Sequence, residues 1–222
     1  MKTWGFLTNH AHVLIQVARD PHSKVREIAV AAGITERAAH GVLQDLRRAE
    51  IIHTHRDGRR NVNQLDAAAL ADHRPWGASG MEIPQSLIDA TIHGLQRVTT
   101  NGSFLAPGHR RNDRVPKEDS SHKWGFLTNH ALILIQVTQH PRSTVREIAQ
   151  AVGLTERATY STLQDLRDSG IVQRQREGNR NRHSLNFEEL AAYRREGTAP
   201  GLVPPDFVSD LMVALLPLRP AV

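Results

Sequence analysis

Eight residues, WGFLTNHA, occur twice in this chain, first at Trp4–Ala11 and again at Trp124–Ala131. The alignment continues without a gap to Leu65 and Leu185, and about 36 of the 62 aligned positions are identical. Such identity at a fixed offset indicates two related units, while a solenoid needs at least three. We call residues 4–65 the first repeat and residues 124–185 the second repeat.

The repeat predicts how the chain divides into domains. We expect a first domain at 1–98 and a second at 124–222. The residues between them, 99–123, are rich in Gly, Pro, Ser and charge, which is typical of a flexible linker. The chain of 222 residues is long enough for two small cores.

Each repeat begins with a pattern of three helices. The first helix has either Thr8 or Asn9 as its N-cap and ends before Pro21. Its predicted buried positions are Ala11, Leu14, Ile15 and Ala18. A short second helix carries VREIA and ends at Gly33, a residue suited to the left-handed C-terminal position. A third helix follows Thr35 as N-cap, with a predicted buried stripe of Ala38, Val42 or Leu43, and Leu46.

Two short extended runs follow the third helix. Asp57-Gly58 lies between them in the first repeat and Glu177-Gly178 in the second, which predicts β-hairpins. Helix, short helix, turn, longer helix and basic hairpin is the order of a winged helix-turn-helix. The expected fold class is mainly α with small β-hairpin wings, as two tandem winged helix-turn-helix domains, each followed by an amphipathic packing helix. The apolar faces of these two helices are Leu87, Ile88, Ile92 and Leu95, and Phe207, Val208, Leu211, Met212, Leu215 and Leu216.

About 60 residues of each repeat resemble the small MarR/ArsR-type winged-helix transcriptional regulators of bacteria. The most specific parts of the resemblance are the REIA…GLTER turn and the GNRNR wing of the second repeat. The resemblance implies a bacterial regulator that usually binds DNA as a homodimer. This chain departs from that pattern because it carries both units in one polypeptide.

The third helices, 35–49 and 155–169, are the predicted recognition helices for a DNA major groove. Arginine suits guanine acceptors and glutamine suits adenine. The predicted base-reading residues are Arg37, His40 and Gln44, with Arg157, Thr159, Tyr160 and Gln164 in the second repeat. An ordinary surface ion pair, such as Arg37 with Glu36, is the alternative interpretation of these arginines. The reading faces differ at Ala39/Thr159, His40/Tyr160 and Gly41/Ser161.

Basic residues surround both predicted hairpin tips, where they can contact phosphates or a narrow minor groove. The predicted phosphate contacts of the first repeat are Arg26, Thr35, Arg56, Arg59, Arg60 and Asn61. Those of the second repeat are Arg146, Thr155, Arg174, Arg176, Arg180, Asn181 and Arg182. Thr35 and Thr155 are also predicted helix caps.

The duplication itself suggests a hypothesis. The tail helices, with the two first helices, would pack together as in a homodimer, so that one chain forms its own pseudo-dimer. The alternative is that each tail helix packs only on its own domain. Because the reading faces differ, a pseudo-dimer would read an asymmetric site rather than a palindrome.

Composition bounds the other possibilities. A net charge of +5 favours a polyanionic partner, although it is also ordinary solubility charge. There is no cysteine and no apolar run of membrane-spanning length, so we expect a cytoplasmic, nucleoid-associated protein without a membrane partner. We expect no enzyme, because the motifs for phosphate loops, zinc proteases and serine hydrolases are missing.

Several functional alternatives remain. A protein-docking scaffold built on winged helices is the strongest. A metal sensor would use His10, His12, His53 and His55, but three of these positions are Leu132, Gln173 and Gln175 in the second repeat. An RNA-binding role lacks a platform of aromatic residues. No cofactor is expected, and the sequence identifies no small-molecule effector.

Overall fold

Each repeat folds into three helices followed by a two-stranded antiparallel hairpin. The computed structural model describes residues 5–58, 60–72, 85–97 and 124–192. The elements of the first half are α1 Asn9–Arg19, α2 Val25–Ala32, α3 Glu36–Arg48, β1 Ile52–Asp57, β2 Arg60–Leu65, α4 Ala67–Asp72 and α5 Gln85–Arg97. The elements of the second half are α6 Asn129–Gln139, α7 Val145–Val152, α8 Glu156–Asp168, β3 Val172–Glu177, β4 Arg180–Leu185 and α9 Phe187–Ala192. The mainly helical fold with two small hairpins agrees with the sequence prediction.

The helix ends follow from local side-chain chemistry. Thr8 rather than Asn9 is the N-cap of α1, and Thr35 caps α3 by accepting the backbone N–H of Ala38 at 3.2 Å. Gly33 ends α2 with a φ of +67°, as its sequence position predicts. A side chain at that φ is strained, so a glycine there allows the tight turn between α2 and α3.

The buried stripe of α3 differs from the prediction by one residue. Ala38 is exposed, and the buried residues are Ala39, Val42, Leu43 and Leu46. Counted from Ala39, the others lie three, four and seven positions later, which keeps all of them on one helical face. The predicted spacing of Ala38, Val42 and Leu46 advances four residues each time and drifts around the helix.

The hairpins are anchored to the body of each repeat. Asp57 pairs with Arg60 in the first half. In the second half Glu177 pairs with Arg180, so the turn lies at residues 178–179, one position after the predicted Glu177-Gly178 pair. Gly58 and Gly178 begin the two turns with φ values of +58° and +59°. Each wing is also tied to the loop after the first helix, since Asn63 donates its backbone N–H to Pro21 O at 2.9 Å.

Two short helices, α4 and α9, follow the wings and were not predicted. In the first half, α5 packs against α4 and α1, and its Ile88 and Leu95 are buried. The helix α5 thus packs on its own domain, while its Thr91 and Leu95 line a cavity together with Phe126 and Leu127 of the other half. The side chain of Leu87, the linker at 99–123 and the predicted tail helix of the second half, with Phe207 through Leu216, lie outside the described residues.

The repeated octapeptide forms a contact between the two halves. Leu7 and Leu127 make an antiparallel β-bridge, immediately before α1 and α6. Four reciprocal hydrogen bonds surround it: Thr8 N to Phe126 O (3.0 Å), Thr128 N to Phe6 O (3.0 Å), Thr8 Oγ1 to Gly125 O (2.6 Å) and Thr128 Oγ1 to Gly5 O (2.5 Å). Because the same residues act on both sides, the contact is locally two-fold symmetric.

The apolar residues on both sides of this bridge belong to one continuous hydrophobic cluster. The first helices lie deep within it and are buried on nearly every side, well beyond the four positions predicted for α1. The buried residues of α1 are Ala11, His12, Val13, Leu14, Ile15, Val17 and Ala18. Those of α6 are Ala131, Leu132, Ile133, Leu134, Ile135, Gln136, Val137 and Thr138. Helices that are apolar all round are typical of the interior of a protein.

Candidate nucleic-acid interface

The outward faces of α3 and α8 carry most of the predicted base-reading residues. All of the following are exposed: Arg37, His40 and Gln44 on α3, and Arg157, Tyr160 and Gln164 on α8. In each helix the second and third of these residues lie three and seven positions after the first, so the three share one face. Tyr160 is 54% exposed, unusual for a large aromatic side chain and suited to contact with a ligand.

Thr159 does not belong to this face, and its predicted role as a base reader is wrong. Its side chain is fully buried, at 0% exposure, as is Ala39 at the equivalent position of α3. The residue lies on the inner stripe of α8 with Thr162, Leu163 and Leu166. The Ala39/Thr159 difference is therefore a difference in the core and not in the reading face.

The cap threonines lie at the N-terminal ends of the same two helices. Thr155 accepts the backbone N–H of Ala158 at 3.2 Å, as Thr35 does in α3. Both threonines are exposed. A hydroxyl that accepts one hydrogen bond still has its own proton to donate, so the capping role is compatible with a phosphate contact.

The wing residues are also at the surface. The exposed predicted contacts are Arg56, Arg60 and Asn61, with Arg174, Arg176, Arg180 and Asn181 in the second half. Arg26 of α2 and Arg146 of α7 are exposed as well. Arg59 lies outside the described residues.

Arg182 differs from its neighbours because an acidic residue already pairs with it. Its guanidinium lies 3.1 Å from one oxygen of Glu177, and Arg142 lies 2.9 Å from the other. The hydrogen bond from Arg182 is the main reason that the pKa of Glu177 is lowered. Part of the charge of Arg182 is therefore neutralised within the wing.

A hydrogen-bonded triad connects α3 to its wing in the first half. Arg47 donates from Nε to Thr54 Oγ1 at 2.8 Å and from a terminal nitrogen to Asn63 Oδ1 at 3.2 Å. Thr54 Oγ1 in turn donates to Asn63 Oδ1 at 2.8 Å. The triad fixes the angle between the exposed helix face and the hairpin.

The second half replaces this triad with three basic residues. Arg167, Arg174 and His183 occupy the positions equivalent to Arg47, Thr54 and Asn63. Burial, and then the charges of Arg167 and Arg174, lower the pKa of His183 to about 4. Sequence reasoning named only Arg174. The alignment of the repeats carried the signal, since it pairs a neutral threonine with an arginine and an asparagine with a histidine.

His10 and His130 connect the first helices to the recognition helices. His10 Nε2 lies 3.3 Å from Asp45 of α3, and His130 Nε2 lies 3.5 Å from Asp165 of α8. Burial lowers the pKa of both histidines, and the aspartates partly oppose that effect. The His10 ring also stacks on Trp124 of the other half, with centroids 4.3 Å apart.

The histidines proposed for a metal sensor do not come together. His12 is buried in α1, while His53 lies 4.0 Å from Asp66 on the wing side. In the described part of the chain no three histidine, aspartate or glutamate residues are grouped as metal ligands. Within those same residues, no helix has the length and apolar character needed to cross a membrane.

Comparison with known proteins indicates which class of domain the second repeat resembles. A family model described as winged helix-turn-helix DNA-binding matches residues 128–173, which cover α6, α7, α8 and the start of β3. Searches of curated proteins and of solved structures found no match. The family match supports a DNA-binding winged helix-turn-helix regulator with double-stranded DNA as its partner, and points to a regulator rather than an enzyme.

Proposed function

We propose that the chain is a sequence-specific transcriptional regulator that binds double-stranded DNA as a single-chain pseudo-dimer. The observation that carries the proposal is the DNA-binding family match over 128–173, on a unit whose recognition helix has an exposed polar face. The first half has the same element order and an equivalent exposed face on α3. In line with the resemblance, the protein is a bacterial regulator of the MarR/ArsR type that acts on the nucleoid.

In this proposal α3 and α8 enter successive major grooves. Arg37 and Arg157 read guanine, and each bidentate contact contributes roughly 1–3 kcal/mol of discrimination. Gln44 and Gln164 read adenine from the same face, while His40 and Tyr160 give the two halves different preferences. The half-sites therefore differ in sequence and lie about one helical turn, ~34 Å, apart.

The wings supply affinity that does not depend on sequence. Their arginines, with Arg26 and Arg146, contact phosphates beside each half-site. If about six to eight phosphates are neutralised, the slope of log K against log salt is about −5 to −7. A slope close to zero would instead favour a protein-docking role for the two winged-helix units.

Support for one chain acting as both halves of a dimer comes from the reciprocal contact at Leu7 and Leu127. Four hydrogen bonds and a shared hydrophobic cluster join the halves, and in this proposal that contact sets the spacing of α3 and α8. A fixed spacing removes part of the entropy lost when the second half binds, and so raises avidity.

The test is selection of genomic fragments by the purified full chain at about 0.15 M salt, followed by sequencing. We expect enrichment of a site with two unlike half-sites. Arg37→Ala should relax base preference in one half-site and Arg157→Ala in the other. Arg97→Ala, which removes the same charge from α5, outside the proposed surface, is the control and should leave both preferences intact.

Two results would overturn the proposal. A palindromic site would mean that two chains pair through like halves. Loss of specificity over the same half-site in both arginine variants would exclude the assignment of one repeat to each half-site.

A further inference from the structure

The space between α8 and the second wing contains basic groups without acidic partners. Arg174 and His183 lie directly opposite each other on β3 and β4, and Arg167 extends from α8 toward the same wing. Among the described residues none of the three forms an ion pair. The buried Nε of Arg167 and the buried Nδ1 of His183 also lack a hydrogen-bond partner there.

Unpartnered buried polar atoms of this kind are unusual. Buried polar side-chain atoms are nearly always hydrogen-bonded, and an unpaired one destabilises the fold. His183 is only 4% exposed, whereas Arg174 is exposed, so the cluster is closed on one side and open on the other. The first half shows that the same backbone accommodates a triad in which Arg47, Thr54 and Asn63 are joined by three hydrogen bonds.

We propose that Arg167, Arg174 and His183 form a phosphate-binding site between the recognition helix and the wing, present in the second half and missing from the first. Phosphate oxygens would accept hydrogen bonds from the two guanidinium groups and from His183. The phosphate is either part of the DNA backbone or carried by a small molecule. In its DNA form the proposal rests on the proposed function.

Occupation of the site has a consequence for the protonation of His183. The unoccupied site holds the imidazole neutral, since burial and two neighbouring arginines oppose a further positive charge. A bound phosphate offsets the local positive charge and favours the imidazolium, so phosphate binding takes up a proton and tightens as the pH falls toward about 4, the pKa of His183 in the free protein.

The other elements packed on His183 bring no further charge to it. Its backbone N–H is bonded to Pro141 O at 2.7 Å. Helix α6, which packs on β4, carries His130 as its one titratable residue, and that residue faces Asp165 instead. The protonation of His183 therefore reports on the occupant of this site.

The chain supplies its own matched variant. Arg174→Thr with His183→Asn converts the cluster into the neutral pattern of the first half, whose packing shows that these side chains fit. Arg97→Ala removes a charge from α5, outside both the cluster and the proposed DNA surface, and serves as the control. All variants are tested in the full chain, and their melting curves establish that they fold.

The measurement is an NMR titration of the His183 ring with inorganic phosphate against chloride at equal ionic strength. If the site takes free phosphate, the pKa of His183 rises by about one pH unit, equivalent to a tenfold preference of phosphate for the protonated form. Arg97→Ala should keep this response. In the double variant, which lacks His183, phosphate should lose its stabilising effect on the melting temperature.

A second titration uses the selected DNA fragment and separates the two sources of phosphate. A rise in the His183 pKa with DNA but not with inorganic phosphate assigns the site to the DNA backbone. No rise with either one overturns the proposal, even where DNA binding itself is intact. A response to inorganic phosphate without any DNA binding would retain the site and refute the proposed function.

Discussion

The contact between the halves makes a quantitative prediction for Thr8→Ala. The hydroxyl of Thr8 has two roles, because it donates to Gly125 O of the other half at 2.6 Å and accepts the N–H of Ala11 at 3.5 Å. The first bond is short and joins residues far apart in sequence. The second is a helix cap at the long end of the hydrogen-bond range, so it contributes less than a well-formed cap.

The expected loss follows from these two bonds. A cap of this length contributes about 0.5 kcal/mol, at the low end of the range for caps. A short hydrogen bond contributes about 1–1.5 kcal/mol, and its removal leaves the Gly125 carbonyl unpaired. Thr8→Ala should therefore lower the free energy of unfolding by about 2 kcal/mol, which corresponds to a fall in Tm of about 4–8 °C for a chain of this size.

Chemical and thermal unfolding of the purified variants provides the assay. Thr35→Ala removes a cap bond of 3.2 Å that stays within one half, so it should cost about 1 kcal/mol. Thr8→Ser retains the hydroxyl and should remain within about 0.5 kcal/mol of the parent. If Thr8→Ala destabilises the chain no more than Thr35→Ala does, the bond between the halves contributes nothing and the reasoning fails.

Four further variants test other parts of the structure. The pKa of His183 is lowered to about 4 in the folded chain, so between about pH 6.5 and pH 4 only the unfolded chain takes up a proton at this residue. The stability linked to this shift is fully present above about pH 6.5 and is lost as the pH falls to about 4. The loss is about 3 kcal/mol. Denaturant titrations across this range should show a shallower decline for His183→Asn than for the parent, and parallel curves would contradict the assignment. Thr159→Val removes a buried hydroxyl that has no hydrogen-bond partner in the described part of the chain, so it should raise stability by roughly 1 kcal/mol and leave base preference unchanged in a DNA-binding assay. Gly178→Ala forces a side chain into a φ of +59° and should lower Tm by an amount equivalent to about 1 kcal/mol, while Gly41→Ala inside α3 should raise it; equal signs would refute the backbone argument.

The element order was predictable because its signals are local. Thr35 as a cap, Gly33 as a helix end and glycine at each hairpin tip all act within a few residues. Helices α4 and α9 were missed because six residues are too few for a periodic pattern. The residue before each of these helices is nonetheless a typical N-cap. Asp66 accepts the backbone N–H of Ala69, and Asn186 accepts that of Glu188.

The candidate surface was predicted less completely than the element order. Which residues of a helix are exposed depends on where the buried stripe begins, and a shift of one residue turns the predicted face by about 100°. The buried stripe predicted for α3 was wrong by one residue, at Ala38 instead of Ala39, and Thr159 is the residue of α8 equivalent to Ala39. The β-bridge between Leu7 and Leu127 could not be predicted from local sequence patterns, because it joins residues in different repeats. Periodicity shows which residues need to be buried, but it does not show what buries them.

The two halves have the same order of helices and strands, but the residues at the base of their wings differ in charge. In the first half, Arg47 donates hydrogen bonds to the neutral groups of Thr54 and Asn63, so these three residues bring one charge to the base of the wing. In the second half, Arg167 faces another arginine and an uncharged histidine, and its own pKa is lowered by burial and by Arg174. A DNA phosphate bound in the second half would reduce the repulsion between Arg167 and Arg174. At the base of the first wing Arg47 has no such neighbour, since Thr54 and Asn63 are neutral. The second half should therefore carry the larger share of the salt dependence of DNA binding, whichever bases its recognition helix reads.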